Sequence, residues 1–174
     1  EITGDYSLID DLSVNNDLDI NGSLDAAGND ITLGGSWSST GTYTHGDNIV
    51  TLTGSGTVTS DGNSFHDLVI DSTGTYTLQD ALQLDGTLLL TAGTLDANGQ
   101  TSTVTGLTTV DGGTYETSTA KQTLNGGLAI SDGSVVAGSG EIEVNGDYDQ
   151  MGGTFTGSTG ILDVNGDLTL SGGT

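Results

Sequence analysis

Apolar and polar residues alternate along this chain in short runs, and the runs return at a fixed spacing. In one unit Leu82 and Leu84 form an apolar-x-apolar pair, Gly86 follows, and Leu88 and Leu90 form a second pair. Alternation of this kind places the apolar side chains on one face of a β-strand. The arrangement recurs at a constant step, around Gly86, Gly106, Gly126, Gly146 and Gly166. The pattern therefore predicts two short, half-buried strands in each repeat, with a tight turn between them.

A second glycine series marks another turn in each repeat. It follows the first series by seven residues, at Gly93, Gly113, Gly133, Gly153 and Gly173. Two residues later comes a third inward position, which is occupied by Leu95, Tyr115, Val135 and Phe155. A period near 20 is typical of a solenoid, whose coils bury their apolar faces only by stacking. We therefore expect an all-β fold, a parallel β-solenoid (β-helix) with about 20 residues and three short strands per coil in the C-terminal half.

Stacking of the coils predicts a specific register, in which each residue pairs with the residue 20 positions later. Leu124, Val144 and Val164 then form one inward column. Parallel ladders use the backbone N–H groups, and proline, which lacks one, is absent from all 174 residues. The helical alternative is excluded, because the 30 glycines and many β-branched residues disfavour helix and no segment keeps helical spacing.

Residues 1–85 follow a looser version of the same pattern. Segment 18–22 matches segment 162–166, and segment 50–54 is another copy, so that Gly22, Gly54 and Gly86 stand 32 residues apart. These steps are either wide coils or one and a half ordinary coils, and the sequence leaves both interpretations open. We expect one solenoid domain over residues 1–174, with irregular coils in 1–85 and regular 20-residue coils in 86–174.

The two ends of the pattern carry no capping helix and no charged terminal strand. Open solenoid ends expose β edges that proteins normally protect. We therefore expect the chain to be a segment of a longer repeat array or to dock on other copies. The expected partners are covalent neighbours, or copies stacked head-to-tail at the solenoid ends.

The charge of the chain excludes several classes of function. It carries 24 acidic residues against one base, Lys121, for a net charge of −23. Nucleic acids and anionic membrane surfaces are excluded as partners, because phosphate groups are bound by Lys and Arg. Cysteine is absent, and no apolar run reaches the length of a membrane span. The only histidines are His45 and His66, and no nucleophile motif is present, so we expect no enzymatic activity.

Stacked carboxylates suggest calcium as an optional ligand, although no cofactor is required. Stacking places equivalent side chains one strand spacing apart, about 4.8 Å, which an ion with oxygen ligands can bridge. The candidate calcium ligands are Asp147, Asp167, Asp163 and Glu143. A purely structural alternative is a ladder of stacked amides at Asn125, Asn145 and Asn165. The glycine-rich calcium-binding nonapeptide and the EF-hand loop are both absent.

Two further expectations concern the aromatic and the threonine residues. Trp37 and the five tyrosines either line a sugar-binding face or fill the core and its corners, and the second interpretation is favoured. Several Thr-x-Thr pairs resemble the hydroxyl arrays of ice-binding solenoids, but they fall at different coil positions, so this interpretation is the least favoured.

The repeat style resembles that of very large secreted surface proteins of prokaryotes. The clearest segment is residues 84–96, with the sequence LDGTLLLTAGTLD. Such proteins include adhesin-like and filamentous-haemagglutinin-like solenoids and the passengers of autotransporters. The resemblance implies a parallel β-helix that is exported to the cell surface. The expected function is a structural segment of an extracellular fibre, stalk or surface filament; the alternative is an adhesin module that binds glycans or surfaces.

Overall fold

Residues 1–174 are all described by the structure, a computed structural model, and they form parallel strands without any helix. The strands of the first half are β1 (Asp5–Ser7), β2 (Leu12–Val14), β3 (Leu18–Ile20), β4 (Ser23–Asp25), β5 (Ile31–Leu33), β6 (Trp37–Ser39), β7 (Thr42–Thr44), β8 (Ile49–Leu52), β9 (Gly56–Thr59) and β10 (Asp67–Leu78). Those of the second half are β11 (Leu82–Leu84), β12 (Leu88–Asp96), β13 (Ser102–Val104), β14 (Thr108–Val110), β15 (Thr114–Glu116), β16 (Gln122–Leu124), β17 (Leu128–Ile130), β18 (Ser134–Val136), β19 (Ile142–Val144), β20 (Tyr148–Gln150), β21 (Thr154–Thr156), β22 (Leu162–Val164) and β23 (Leu168–Leu170). The structure therefore contains no helix with the length and apolarity needed to cross a membrane.

The strands stack into three faces, which the chain visits in turn. Face 1 contains β1, β4 and β7 and then β11, β13, β16, β19 and β22. Face 2 is one continuous ladder of nine strands, β2, β5, β8, β10, β12, β14, β17, β20 and β23. Face 3 contains β3, β6, β9, the second halves of β10 and β12, and then β15, β18 and β21. The predicted parallel β-solenoid with three short strands per coil is confirmed.

The predicted register holds throughout the second half. Leu124 pairs with Val144 and Val144 with Val164, so each residue meets its equivalent in the next repeat. Leu124 and Val144 are buried, and Val164 in the last coil is half-buried against the core. The inward column that alternation predicted is therefore present.

The coils of the first half have ordinary width. The length of a coil is the sequence offset between two residues that pair in adjacent coils. In the first half the shortest such step is that from Asp5 to Ser23, and the longest is that from Trp37 to Val58. These two steps bracket the constant step of the second half. The wide-coil interpretation of the first half is therefore excluded.

The 32-residue offset in the first half has a different origin. It spans five strand-to-strand steps, which is one and two-thirds coils. Gly22 consequently lies between faces 3 and 1, Gly54 between faces 2 and 3, and Gly86 between faces 1 and 2. One turn sequence thus serves all three corners of the solenoid.

The core is a set of stacked apolar columns. On face 2 each strand contributes two inward side chains, as in Leu88 and Leu90 of β12 or Leu128 and Ile130 of β17. In the first half aliphatic columns are joined by an aromatic cluster, in which Trp37 packs edge-on against Tyr43 and Phe65 at centroid distances of 4.8 and 4.9 Å. Burial of these columns gives the coils their main stabilisation, since a strand of three residues has little stability by itself.

Close approach of successive coils explains the glycines at the corners. A Cβ placed on Gly126 would collide with the backbone carbonyl of Gly106 in the coil before. Gly93 has φ = +77°, a left-handed conformation that glycine adopts without steric cost. The two glycine series therefore have different causes: close stacking of the coils at the corner of Gly126, and a left-handed backbone at the corner of Gly93.

Candidate functional site

The outer surface of the solenoid carries its charged side chains in columns, and one corner carries amides. Between faces 1 and 2, the side-chain amide of Asn145 donates to Oδ1 of Asn125 over 2.9 Å. Asn165 donates in the same way to Oδ1 of Asn145 over 3.0 Å. The amide ladder that the sequence offered as an alternative to calcium at this corner is therefore formed.

Glu143 and Asp163, two of the four candidate calcium ligands, face outward from adjacent strands of face 1. Glu141 joins them, and one carboxylate oxygen from each of the three lies within 4.8 Å of the others. The ammonium group of Lys121 lies 3.2 Å from Glu143 Oε2 and 3.5 Å from Glu141 Oε2. The hydrogen bond with Glu143 and the charges of both glutamates raise the pKa of Lys121. The only lysine of the chain thus supplies positive charge to this cluster.

The other two candidate ligands lie at the corner between faces 1 and 2. Asp147 Oδ1 accepts a hydrogen bond from the backbone N–H of Asp167 over 2.9 Å. These two aspartates are not members of the carboxylate group on face 1. The four candidate residues therefore form two stacked pairs on different parts of the surface.

Along the solenoid, aspartate carboxylates of one coil repeatedly accept hydrogen bonds from backbone N–H groups of the next coil. Asp11 Oδ1 accepts the N–H of Asp30, and Asp30 Oδ1 accepts the N–H of Ile49, both over 2.9 Å. Asp17 Oδ1 accepts the N–H of Ser36 over 2.7 Å. These carboxylates satisfy backbone donors at the corners, where the ladder is interrupted. Part of the acidic composition is therefore structural.

The aromatic side chains are not arranged to stack on sugars. Trp37, Tyr43, Tyr76, Tyr115 and Tyr148 are all buried in the core. Tyr6 in the first coil is exposed. The sequence-based expectation that most of these residues fill the core and its corners is confirmed.

The apolar columns are less covered in the two end coils than in the inner ones, and least in the last coil. In the last coil Leu168 and Leu170 are 56% and 63% exposed, whereas Leu128 and Ile130, at the same positions two coils earlier, are 1% and 0% exposed. Within residues 1–174, β2 and β23 each have a ladder partner on one side only. The outer N–H and C=O groups of these two strands therefore have no ladder partner within residues 1–174.

Sequence reasoning missed one cluster, which brings His45 and His66 together with three aspartates. The offset from His45 to His66 is close to one coil length, and this spacing was the available signal.

Comparison of the chain with protein-family models, with curated proteins and with solved structures finds no match.

Proposed function

We propose that this chain is a structural segment of an extracellular fibre, stalk or surface filament that mediates cell attachment or cell–cell linkage. The observation that carries the proposal is the unbroken nine-strand ladder of face 2, in which every strand pairs in parallel with the next. Eight steps of about 4.8 Å make a rod of roughly 40 Å. The proposed role is mechanical and involves no catalysis. The resemblance of the repeats to secreted surface proteins supports a location at the cell surface.

The proposed partners are covalent neighbours or other copies stacked head-to-tail. A contact between unlike ends does not close on itself and so extends into a filament. Ile2 pairs with Ile20 on face 3, whereas Val164, its counterpart in sequence, lies on face 1. A docked copy must therefore turn by one face about the solenoid axis before like sequences stack.

The molecular mass of the chain in solution tests whether its ends associate. We expect residues 1–174, expressed alone, to increase in mass with concentration in sedimentation experiments. Replacing the inward Leu168 and Leu170 of the end coil by Lys should abolish the association, because charge then occupies the docking surface. Thr169→Lys, between them on the outward side of the same strand, is the matched control and should leave association unchanged.

A chain that stays monomeric at every concentration, with both end coils protected in hydrogen exchange, would overturn the proposal. The cellular part has its own test. Antibodies against residues 1–174 should label intact cells of the source organism, and labelling that requires lysis would contradict a surface location.

Binding of cell-surface glycans, the alternative role, has no exposed aromatic row to support it. Ice binding has one specific observation in its favour, an outward hydroxyl column on face 3 formed by Thr75, Thr94, Thr114, Ser134, Thr154 and Thr174. Asp96 and Glu116 interrupt the neighbouring column with charge. Ice recrystallisation assays decide this second candidate: inhibition by the native chain that is lost in Thr114→Lys supports it, and absence of inhibition excludes it.

A further inference from the structure

The corner between faces 1 and 2 gathers both histidines of the chain. His45 and Asp47 belong to the turn between β7 and β8, and His66 belongs to the same corner one coil later, directly before β10. Their ring centroids are 5.5 Å apart. Asp85 lies at the corner of the following coil, so three successive coils contribute to the cluster.

One carboxylate oxygen lies between the two rings. Asp47 Oδ1 is 3.7 Å from Nδ1 of His45 and 3.8 Å from Nε2 of His66. The turn directs this carboxylate towards the rings, because Gly46 and Asp47 both have left-handed backbone, with φ of 61° and 65°. Two imidazole nitrogens therefore face one shared carboxylate oxygen, a combination of donors that suits transition-metal ions.

The far nitrogen of each ring faces a second carboxylate. Nε2 of His45 is hydrogen-bonded to Oδ2 of Asp85 over 3.2 Å, and Ser64 Oγ donates to the same oxygen over 2.9 Å. Nδ1 of His66 lies 3.2 Å from Oδ2 of Asp67, although this pair is not aligned as a hydrogen bond. Histidines that bind metals commonly have their second nitrogen held by a carboxylate in this way, which orients the ring.

Asp67 is itself held in place from the next coil. Its Oδ1 accepts hydrogen bonds from the N–H and the hydroxyl group of Thr87, over 2.5 and 2.7 Å. A Cβ on Gly86 would press against His66 Nδ1 at 2.9 Å, so the glycine makes room for the ring. Asp47, in contrast, is 80% exposed in its side chain, so that an ion can reach it from solvent.

We propose that His45, His66 and Asp47 bind a divalent transition-metal ion of the zinc class, with Asp85 and Asp67 orienting the two rings. Tetrahedral zinc with bonds of about 2.0–2.2 Å has ligand-to-ligand distances of about 3.4 Å. The Asp47 oxygen is already close to this distance from each ring nitrogen, at 3.7 and 3.8 Å, whereas the two nitrogens lie more than 4.8 Å apart and must approach each other as the ion binds. The zinc then replaces the hydrogen bond from the Asp47 N–H to His45 Nδ1. Water completes the coordination.

The charge and donors of the site favour zinc over calcium. The carboxylates of Asp47, Asp67 and Asp85 surround the two imidazoles and make the corner anionic, and Lys121 is not among the residues paired there. Imidazole nitrogen is a good ligand for zinc, nickel and copper, whereas calcium takes oxygen ligands. An ion bound here links adjacent coils and so stabilises the solenoid.

Titration of residues 1–174 with zinc chloride, followed by calorimetry and by NMR of the imidazole nitrogens, tests the proposal. The chain has only two histidines, so each ring gives its own signals. We expect one zinc ion per chain and shifts of both rings, with Nδ1 of His45 and Nε2 of His66 as the coordinated atoms. Calcium chloride at the same concentration should leave both rings unchanged.

Variants separate a metal site from a structural cluster. Asp47→Asn should weaken zinc binding by about tenfold. The double variant His45→Gln/His66→Gln should weaken it by at least about 100-fold. Asp85→Asn should weaken it by about 10–100-fold while leaving the one-to-one stoichiometry. Asp149→Asn, on the outward side of β20, is the control and should bind zinc like the native chain.

Asp47→Asn should melt at the native temperature without zinc and gain less stability than the native chain when zinc is added. This comparison keeps the proposal testable if the histidine variants fold poorly. Equal zinc affinity in the native chain and Asp47→Asn, a shift of one ring alone, or equal responses to zinc and calcium would each overturn the proposal.

Discussion

Tyr115 carries a hydroxyl group into the core, where it belongs to a buried polar network. The hydroxyl lies 2.6 Å from Ser102 Oγ and donates to Oε1 of Gln122 over 2.8 Å. The amide group of Gln122 in turn donates to the carbonyls of Gln100 and Ala120, both over 3.0 Å. Because all these partners are satisfied, the network costs little although it is buried.

Burial raises the pKa of Tyr115 to about 12, with Ser102 partly opposing the shift. The folded state thus holds the phenolic proton more tightly than the unfolded chain, in which the pKa is about 10. The resulting stability, roughly 3 kcal/mol, is present below pH 10 and is lost as the pH rises towards 12. We expect Tyr115→Phe to lose less stability over this window than the native chain does, as measured by urea unfolding at several pH values. The exposed Tyr6→Phe is the control, and parallel losses in all three chains would contradict the assignment.

Val144 tests the inward column at a single position. Asp in its place would bury an unpaired charge between Leu124 and Val164, at a cost of several kcal/mol. Val136→Asp places the same change on the outward side of β18, where the side chain is exposed, and should cost less than about 1 kcal/mol. Chemical denaturation compares the two variants, and similar costs would place Val144 outside the core.

Elements of three residues acquire their stability by stacking, so the corners must allow the coils to approach. The glycine column at the corner between faces 1 and 2 meets this need, since Gly126 contacts the backbone of Gly106 and Gly146 contacts that of Gly126. Any side chain in this column would push two coils apart and weaken the ladders on both adjoining faces.

Gly126→Ala should therefore destabilise the solenoid by about 1–3 kcal/mol, as overpacking does in other tightly packed sites. Gly157→Ala is the matched control, because the atom nearest to its Cβ is a ring carbon of Phe155 at 4.0 Å. We expect that control to change the free energy of unfolding by less than about 0.5 kcal/mol. Equal effects in the two variants would show that close approach is not what the glycine column provides.

At the scale of the whole molecule, a net charge of −23 is distributed over a rod with one lysine. Carboxylates that accept backbone N–H groups are compensated locally, while the acidic group on face 1 depends on Lys121. Salt should raise the melting temperature of the chain, because it screens the remaining repulsion between acids.

Lys121→Gln removes the positive charge from Glu141, Glu143 and Asp163. We expect a lower melting temperature at low ionic strength, and a larger stabilisation by millimolar calcium than in the native chain at matched ionic strength. The physical reason is that calcium then takes the position of the ammonium group between the carboxylates. Identical calcium and sodium responses in both chains would exclude an ion at Glu143 and Asp163.

The sequence by itself determined the solenoid, its constant register in the second half and its inward columns. Each of these follows from a local rule that is repeated in every coil: alternation defines the inward face, and glycine defines the turn. Leu124 and Val144 could thus be assigned to the core, and Asn125, Asn145 and Asn165 to one corner, because a constant step brings equal positions together.

Only the tertiary structure decided how the first half is wound and which polar residues meet there. Gly22, Gly54 and Gly86 reach three different corners despite their similar sequences, because their 32-residue offset spans one and two-thirds coils. The contact between His45 and Asp85, 40 residues apart, spans two coils, and the sequence did not reveal it while wide 32-residue coils remained an alternative. Where the step is constant a sequence pattern fixes which side chains stack, and where it varies the length of every intervening turn decides.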